Sequence, residues 1–388
     1  MGMTHANSYD EIKPLVELCR AGRLFDVQDW IKSGRPVNPP PRKDWRQKGP
    51  LRWAIDLGFH SLVQVLLEGG AEIKDGERYC ALQHAVLEKR LDFIQLLVDH
   101  GADVNSIDMG DVFDTYQPEL MEFFIAHGAD VETGNPLAAA FCRRIQPALR
   151  IFKQHKDRFP SFQEQVNIAL RYHCREGHPK WIALMLWAGA DPYSKGPVQP
   201  EDDPDPEGDD NALEWAARYE HYEVFAMRQV RLDPKREQAF DLVQTACYGK
   251  STELLTRLMD LGYPLNNQAN GGSSLIAQLV NCMTWCWDLS SSRQKRNIDG
   301  DSSRERLKML HLVVKHGARW IPENPREIDD VRKLLLKLAP DYTAELVWIM
   351  ATHHGCTCST ISELLRTPSI RTHTAAHLRR IDELTARL

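Results

Sequence analysis

Apolar residues recur along this chain at helical spacing, and the helical stretches keep ending in the same way. In FIQLLVDHGADVNSID, residues 93–108, Ile94, Leu97 and Val98 fall at i, i+3 and i+4, which is one face of a helix. Gly101 follows the last apolar position, where the left-handed conformation that closes a helix strains any residue carrying a Cβ. His100 in the last turn meets the negative end of the helix dipole. Ala102, Asp103 and the extended Val104-Asn105 read as a tight reversal. The same ending returns in FFIAHGADVETG, residues 123–134. Each copy predicts a helix, a glycine cap and a turn. Such a unit leaves an apolar stripe uncovered, and a stacked neighbour supplies the cover.

The cap-and-turn signature marks the chain at Gly34, Gly70, Gly101, Gly128, Gly189, Gly262 and Gly317. The first intervals are 36, 31 and 27 residues. The later ones, 61, 73 and 55, fit two units, two units plus an acidic loop, and one unit plus an insertion. Two helices and a turn repeating near every thirty-three residues is the ankyrin period. GPLRWAIDLGFHSLVQVLLEGGAEI, Gly49–Ile73, resembles an ankyrin unit: Pro50-Leu51, Ala54 and Gly58 match T-P-L-H-x-A and its following glycine. Cys80–Asn105 does the same, and weaker copies begin at Asn135, Asn167, Asn211 and Phe240. Arg52 and Gln83 stand where the family usually has the His of T-P-L-H, and the unit ending at Gly128 has little room for a first helix. The resemblance implies an all-α ankyrin-repeat solenoid. Its expected parts are repeats over 10–197, an acidic loop over 198–210, further repeats over 211–340, and a helical C-terminal cap over 341–388. A basic, Ser-rich insertion is expected at 288–306.

Composition changes this picture little. The 388 residues are 43% hydrophobic and 26% charged, ordinary for a globular chain. The net charge of −6 is concentrated in EDDPDPEGDD, Glu201–Asp210, whose seven acids leave the remainder at +1. A near-neutral body offers no global argument for nucleic acid, and a run with no apolar residue reads as a solvated loop. The longest apolar run, WIALMLWAGA, has ten residues, too few to cross a bilayer. The start lacks the apolar segment of a secretion signal, and Ala6 stands where a myristoylation motif wants Ser or Thr. Nine cysteines without a regular framework, mostly inside apolar helical patterns, read as buried thiols in a reducing compartment. A cytoplasmic location follows as an expectation.

Ankyrin arrays generally bind through a concave side made of finger tips and first-helix ends. By position, the resemblance puts Trp45, Arg46 and Lys48 on one finger, with Asp56 and Leu57 on the first helix behind it. Glu77 and Tyr79 fall on the next finger, with Leu87 and Glu88 behind, and Arg175, Arg218, Tyr219 and Tyr248 come further along. Trp, Tyr and Arg most often carry interface energy; packing against neighbouring fingers is the other reading of these aromatics. The partner implied is a macromolecule, most simply a protein.

HHGCTC, His353–Cys358, offers four soft ligands in six residues, but no second ligand pair is evident, so a helix end capped by Gly355 is the expectation. Cys282 and Cys286, four apart, fit one buried helix face. The tail from Ile361 has two helical stretches around Thr367-Pro368 and faintly resembles a helix-turn-helix, which would put Arg371, Arg379 and Arg380 on phosphates. That makes a nucleic-acid-associated regulator the alternative, against a simple helical cap. No phosphate-cradling loop, nucleophile elbow or H-E-x-x-H is present, so no catalytic residue, cofactor or metal is expected. An enzyme with a composite site is the third reading.

Overall fold

The computed structural model describes residues 5–41, 47–73, 80–201, 210–236, 239–249, 251–266, 274–280, 282, 299–320, 325–337, 340–353 and 355–385. Among these there are helices, turns and two isolated bridges, His5 with Asn38 and Trp320 with Cys356, but no strand. The chain divides into two compact units. One comprises Met1–Ala169, Ala188–Ala190 and Val198–Asp203; the other comprises Leu170–Trp187, Asp191–Pro197 and Pro204–Leu388.

The first unit is a run of helix pairs: α1 (Tyr9–Arg20) with α2 (Leu24–Lys32), α3 (Pro50–Asp56) with α4 (His60–Glu68), and α5 (Ala81–Leu87) with α6 (Leu91–Asp99). Then come α7 (Met109–Phe113) with α8 (Pro118–Ala126), and α9 (Pro136–Cys142) with α10 (Ala148–His155). First helices pack on first helices, and α2, α4 and α6 pack in turn on one another. This is the cover that the apolar stripe required: Phe93, Ile94 and Leu97 of α6 are all buried, each contributing about 1.5–3 kcal/mol of burial. Helix α7 has five residues, the short first helix anticipated before Gly128.

All seven signature glycines have φ between +73° and +105°, so the repeated stop is a left-handed cap. The last-turn histidines His100, His127 and His316 donate from Nδ1 to the carbonyls of Leu96, Phe123 and Leu312 at 2.9, 2.7 and 2.9 Å. Each of these carbonyls also accepts the backbone N–H of the same histidine, so the ring adds a second bond at the helix end. Asparagines then clip one repeat to the next. Asn38 donates to Gly70 O at 2.9 Å and accepts from Glu72 N at 2.8 Å. Asn105 makes the same pair with Gly128 and Asp130, and Asn266 with Gly317 and Arg319.

The boundary between the units falls inside α11 (Ser161–Glu176), which is followed by α12 (Pro179–Trp187). The second unit continues with α13 (Ala212–Arg218) and α14 (Ala239–Tyr248) with α15 (Thr252–Asp260). After α13 the second helix shrinks to a 3-10 turn, Tyr222–Ala226. Residues 275–280 are helical, and α16 (Asp299–Lys315), α17 (Pro325–Lys337), α18 (Pro340–Thr352), α19 (Cys358–Leu365) and α20 (Pro368–Thr385) complete the chain. Helix α16 packs on α15 and α18, and α18 packs on α20. The residues from Asp299 to Arg306, expected to close an insertion, instead begin α16. Arg306 is buried and donates to Cys247 O at 3.2 Å, whereas Arg304 is exposed. Arg171 is wholly buried on α11, donating from Nε to Pro197 O at 2.7 Å and from Nη1 to Ser194 O at 3.1 Å. It closes the segment 191–197 onto its own unit.

Candidate interaction surface

Of the expected contact residues that are described, Asp56, Leu57, Leu87, Glu88, Arg175, Arg218, Tyr219 and Tyr248 lie at the ends of first helices or in the turns after them. In the first unit the centre of this edge is Trp53 on α3, a residue that position in the repeat did not single out. Arg20 Cζ lies 4.9 Å and Lys48 Nζ 4.8 Å from its ring centroid, so two cations flank one indole. Lys48 Nζ donates to Asp56 Oδ2 at 2.6 Å, and His84 Nε2 from the next repeat lies 3.0 Å from Asp56 Oδ1. The backbone carbonyl of Lys48 accepts from Tyr9 Oη at 3.0 Å. Asp56, only 16% exposed, thus joins two repeats and has little carboxylate left for a partner. Leu57 and Glu88 stand at the turns that end α3 and α5, both exposed, and Leu87 is 64% exposed at the last position of α5. Tyr116 is exposed at the corresponding turn after α7, in a left-handed conformation of φ +60°. Arg143 pairs with Asp114 across the next repeat at 3.0 Å. Trp45, Arg46, Glu77 and Tyr79 lie outside the described residues.

In the second unit the corresponding ends of first helices carry arginine and aromatic rings. Arg175 Cζ lies 5.5 Å from the Tyr172 ring, and Arg218 Cζ lies 5.5 Å from Trp215. Trp215 in turn meets Tyr219 at 5.7 Å between centroids. Gly249 lets the following repeat come close, since a Cβ there would stand 2.5 Å from Ala217 O. That approach sets exposed Tyr248 within the electrostatic reach of Arg218. The sequence pointed to Arg175, Arg218, Tyr219 and Tyr248, and the structure places them with Tyr172 and Trp215, which it did not. Arg175 also pairs with Glu176 at 2.9 Å and Arg218 with Asp210 at 2.6 Å. Residues 202–209 of the acidic run lie outside the described residues.

Beneath this edge, Asn211 and Glu214 form a reciprocal cap at the start of α13, Asn211 N donating to Glu214 Oε2 at 2.9 Å. Burial pushes the Glu214 carboxyl up to about 7, against the pull of the Asn211 N–H and of Lys195.

Among the described residues no three or more His, Cys, Asp or Glu side chains converge as metal ligands. The HHGCTC ligands are dispersed. Cys356 is buried, its thiol pushed up to about 12 by burial, whereas Cys358 is exposed and His354 lies outside the described residues. Gly355 ends α18 by close approach: its N–H donates to Met350 O at 2.8 Å, and a Cβ would stand 2.9 Å from Val314. Cys247 is fully buried and Cys282 half-buried, while Cys286 lies outside the described residues. In the tail, the first turns of α20 bury Ile370 and Thr374, leaving Arg371 and Arg379 exposed; the Arg380 side chain lies outside the description. No helix among the described residues is long and apolar enough to cross a membrane.

Comparison with known proteins agrees with the repeat geometry. A family model described as "Ankyrin repeats (3 copies)" matches residues 15–108. The ankyrin repeat protein FPV014 of fowlpox virus (strain NVSL) is 30% identical over 92 residues, 24% of this chain. The match spans only 21% of that relative's length. Among solved structures, the crystal structure of the human ASB11 ankyrin repeat domain pairs with 75% of this chain and 97% of its own. Its identity is 16% and its TM-score 0.28. Ankyrin repeats are in general protein-interaction modules, and this chain carries such repeats over residues 15–108, with the same helix-pair construction continuing through α7 to α10.

Proposed function

We propose that this chain is a non-enzymatic interaction protein of the cytoplasm that grips a protein partner along its first-helix ends and turns. The observation that carries the reading is the Arg218, Trp215, Tyr219 and Tyr248 group, in which arginine and aromatic side chains stand together with both tyrosines exposed. These are the side chains that most often dominate binding energy, because they bury large area for few frozen torsions. Leu57, Leu87 and Glu88 extend the same kind of contact in the first unit, and Trp45, Arg46, Lys48, Glu77 and Tyr79 belong to it by their place in the repeat. Asp56 serves the surface indirectly, by holding Lys48 and His84 in place.

The experiment starts with a partner recovered from the native host by affinity capture and identified by mass spectrometry, then purified and titrated. Arg218→Ala with Tyr219→Ala is expected to weaken binding by about 2 kcal/mol or more with an unchanged thermal melt. Trp45→Ala with Arg46→Ala is expected to behave likewise. Gln64→Ala with Glu68→Ala, a pair that hydrogen-bonds on the exposed side of α4, serves as the comparison. If that pair weakens binding and the first-helix variants do not, the assigned face is wrong.

A further inference from the structure

His311 lies on α16, and His353 immediately follows the last residue of α18. Forty-two residues separate them in sequence, yet their Nε2 atoms stand 3.0 Å apart. Both side chains are half-buried at this contact between two packed helices. The ring centroids are 4.8 Å apart and the planes are inclined by 36°. At that centroid spacing the two ring axes are not collinear. One ion could sit beside the pair at about 2.0–2.1 Å from each nitrogen, the ordinary imidazole–zinc distance, with an angle of roughly 95° between the two bonds.

The surroundings favour this use. Burial lowers the His311 imidazole below its ordinary range, with His353 and Lys315 acting in the same direction. Only an imidazole that keeps its nitrogen lone pair can ligate, and this surrounding disfavours its protonation. Glu345 of α18 acts the opposite way on His311, placing a carboxylate within electrostatic reach, where it favours a cation. Lys315, the charged neighbour on α16, is exposed and can turn toward solvent. The buried Cys356, three residues beyond His353, stays a thiol and does not compete. Two imidazoles suit borderline divalent ions such as zinc and copper and have little affinity for magnesium or calcium, which prefer oxygen.

We propose that His311 and His353 form a two-imidazole site for a borderline divalent transition ion, which joins α16 to α18 and completes its coordination with water. Zinc is the ion proposed and copper the tighter-binding probe. An ion that binds only where the two helices meet adds its binding energy to their packing.

The test uses the full chain, freed of metal with a chelator and held at slightly alkaline pH. Zinc chloride in modest excess is expected to raise the melting temperature by several degrees, while magnesium chloride leaves it unchanged. His311→Gln and His353→Gln should each lose the zinc effect and bind zinc about tenfold more weakly or worse by calorimetry. His100→Gln should keep both, a needed control in a chain with fifteen histidines. At acidic pH, with the rings protonated, the effect should vanish. Should a variant fail to fold, the native chain still decides: substoichiometric copper should broaden two imidazole resonances together before any others. The proposal is overturned if zinc leaves the native melt unchanged, if the shift survives in both variants, or if copper broadens other histidines first.

Discussion

Trp53 and Trp215 occupy the same place in their repeats, three residues before the first helix gives out, yet their surroundings differ in kind. In the first unit the indole is flanked by Arg20 and Lys48, and Asp56 holds Lys48 from below while meeting His84 of the next repeat. The charges are spent on joining neighbours. In the second unit Trp215 meets one arginine and one tyrosine, and Tyr219 and Tyr248 remain exposed beside them. One position in a repeat can therefore be tied into the stack in one half of a chain and stand beside exposed aromatic rings in the other. What differs is the reach of the carboxylate: Asp56 ties Lys48 to His84 of the next repeat, whereas Asp210 pairs with Arg218 and leaves two exposed tyrosines beside it.

A contact edge needs rigid support, and Arg171 supplies it one helical turn before Arg175. Arg171→Ala would leave the Pro197 and Ser194 carbonyls without this donor beside the cavity that the missing side chain leaves. Urea denaturation should show a loss of about 3 kcal/mol or more. A loss below about 1 kcal/mol would mean that the edge does not depend on that buried arginine.

The next largest effect should appear as pH dependence. The Glu214 carboxyl titrates near 7 in the folded chain, above its ordinary value of 4.5, so the folded state holds a proton that the unfolded state releases. That contribution is full below about 4.5, falls as pH rises toward 7 and is flat beyond, for a total of about 3 kcal/mol. Glu214→Gln should remove this part of the slope. An unchanged pH profile in the variant would show that the carboxyl is not strained by burial.

Trp53→Ala should cost about 2 kcal/mol by removing the surface on which two cations rest, and should change partner affinity little. Loss of binding without loss of stability would reverse the comparison between the units. The smallest change tests a turn. Lys89 is left-handed at φ +56°, so Lys89→Gly should raise stability by about 0.5 kcal/mol, read as a small upward shift in midpoint. A decrease would show that the lysine's contacts outweigh its backbone strain.

The repeat architecture was legible because its stop signal is chemically strict. Gly34, Gly70, Gly101, Gly128, Gly189, Gly262 and Gly317 all adopt the conformation that only glycine takes freely, so each leaves a letter in the sequence. The turn between the two helices of a repeat is looser. Lys89, Tyr116, Arg144 and Glu220 adopt a left-handed conformation there without glycine, so the pattern is hidden. Trp53 was missed for another reason. Its role depends on Arg20 and Lys48, which local spacing cannot bring to it. The helical start of α16 was masked by the Ser- and Arg-rich composition of DGDSSRER, although Arg306 ends up buried. The His311–His353 contact joins residues forty-two apart, and no short motif encodes it.

The asparagine clips set an order of events during synthesis. Asn38 meets its partners Gly70 and Glu72 thirty-two and thirty-four residues later. At a translation rate of about 5–20 residues per second, that amide waits roughly 2–7 s for its acceptor and donor to be made. The first pair of helices can therefore form on the ribosome before its finger is fastened. A repeat that carries such an asparagine, as at Asn38, Asn105 and Asn266, is finished by its successor, so until that successor emerges the nascent chain holds an unlatched joint that a chaperone could meet.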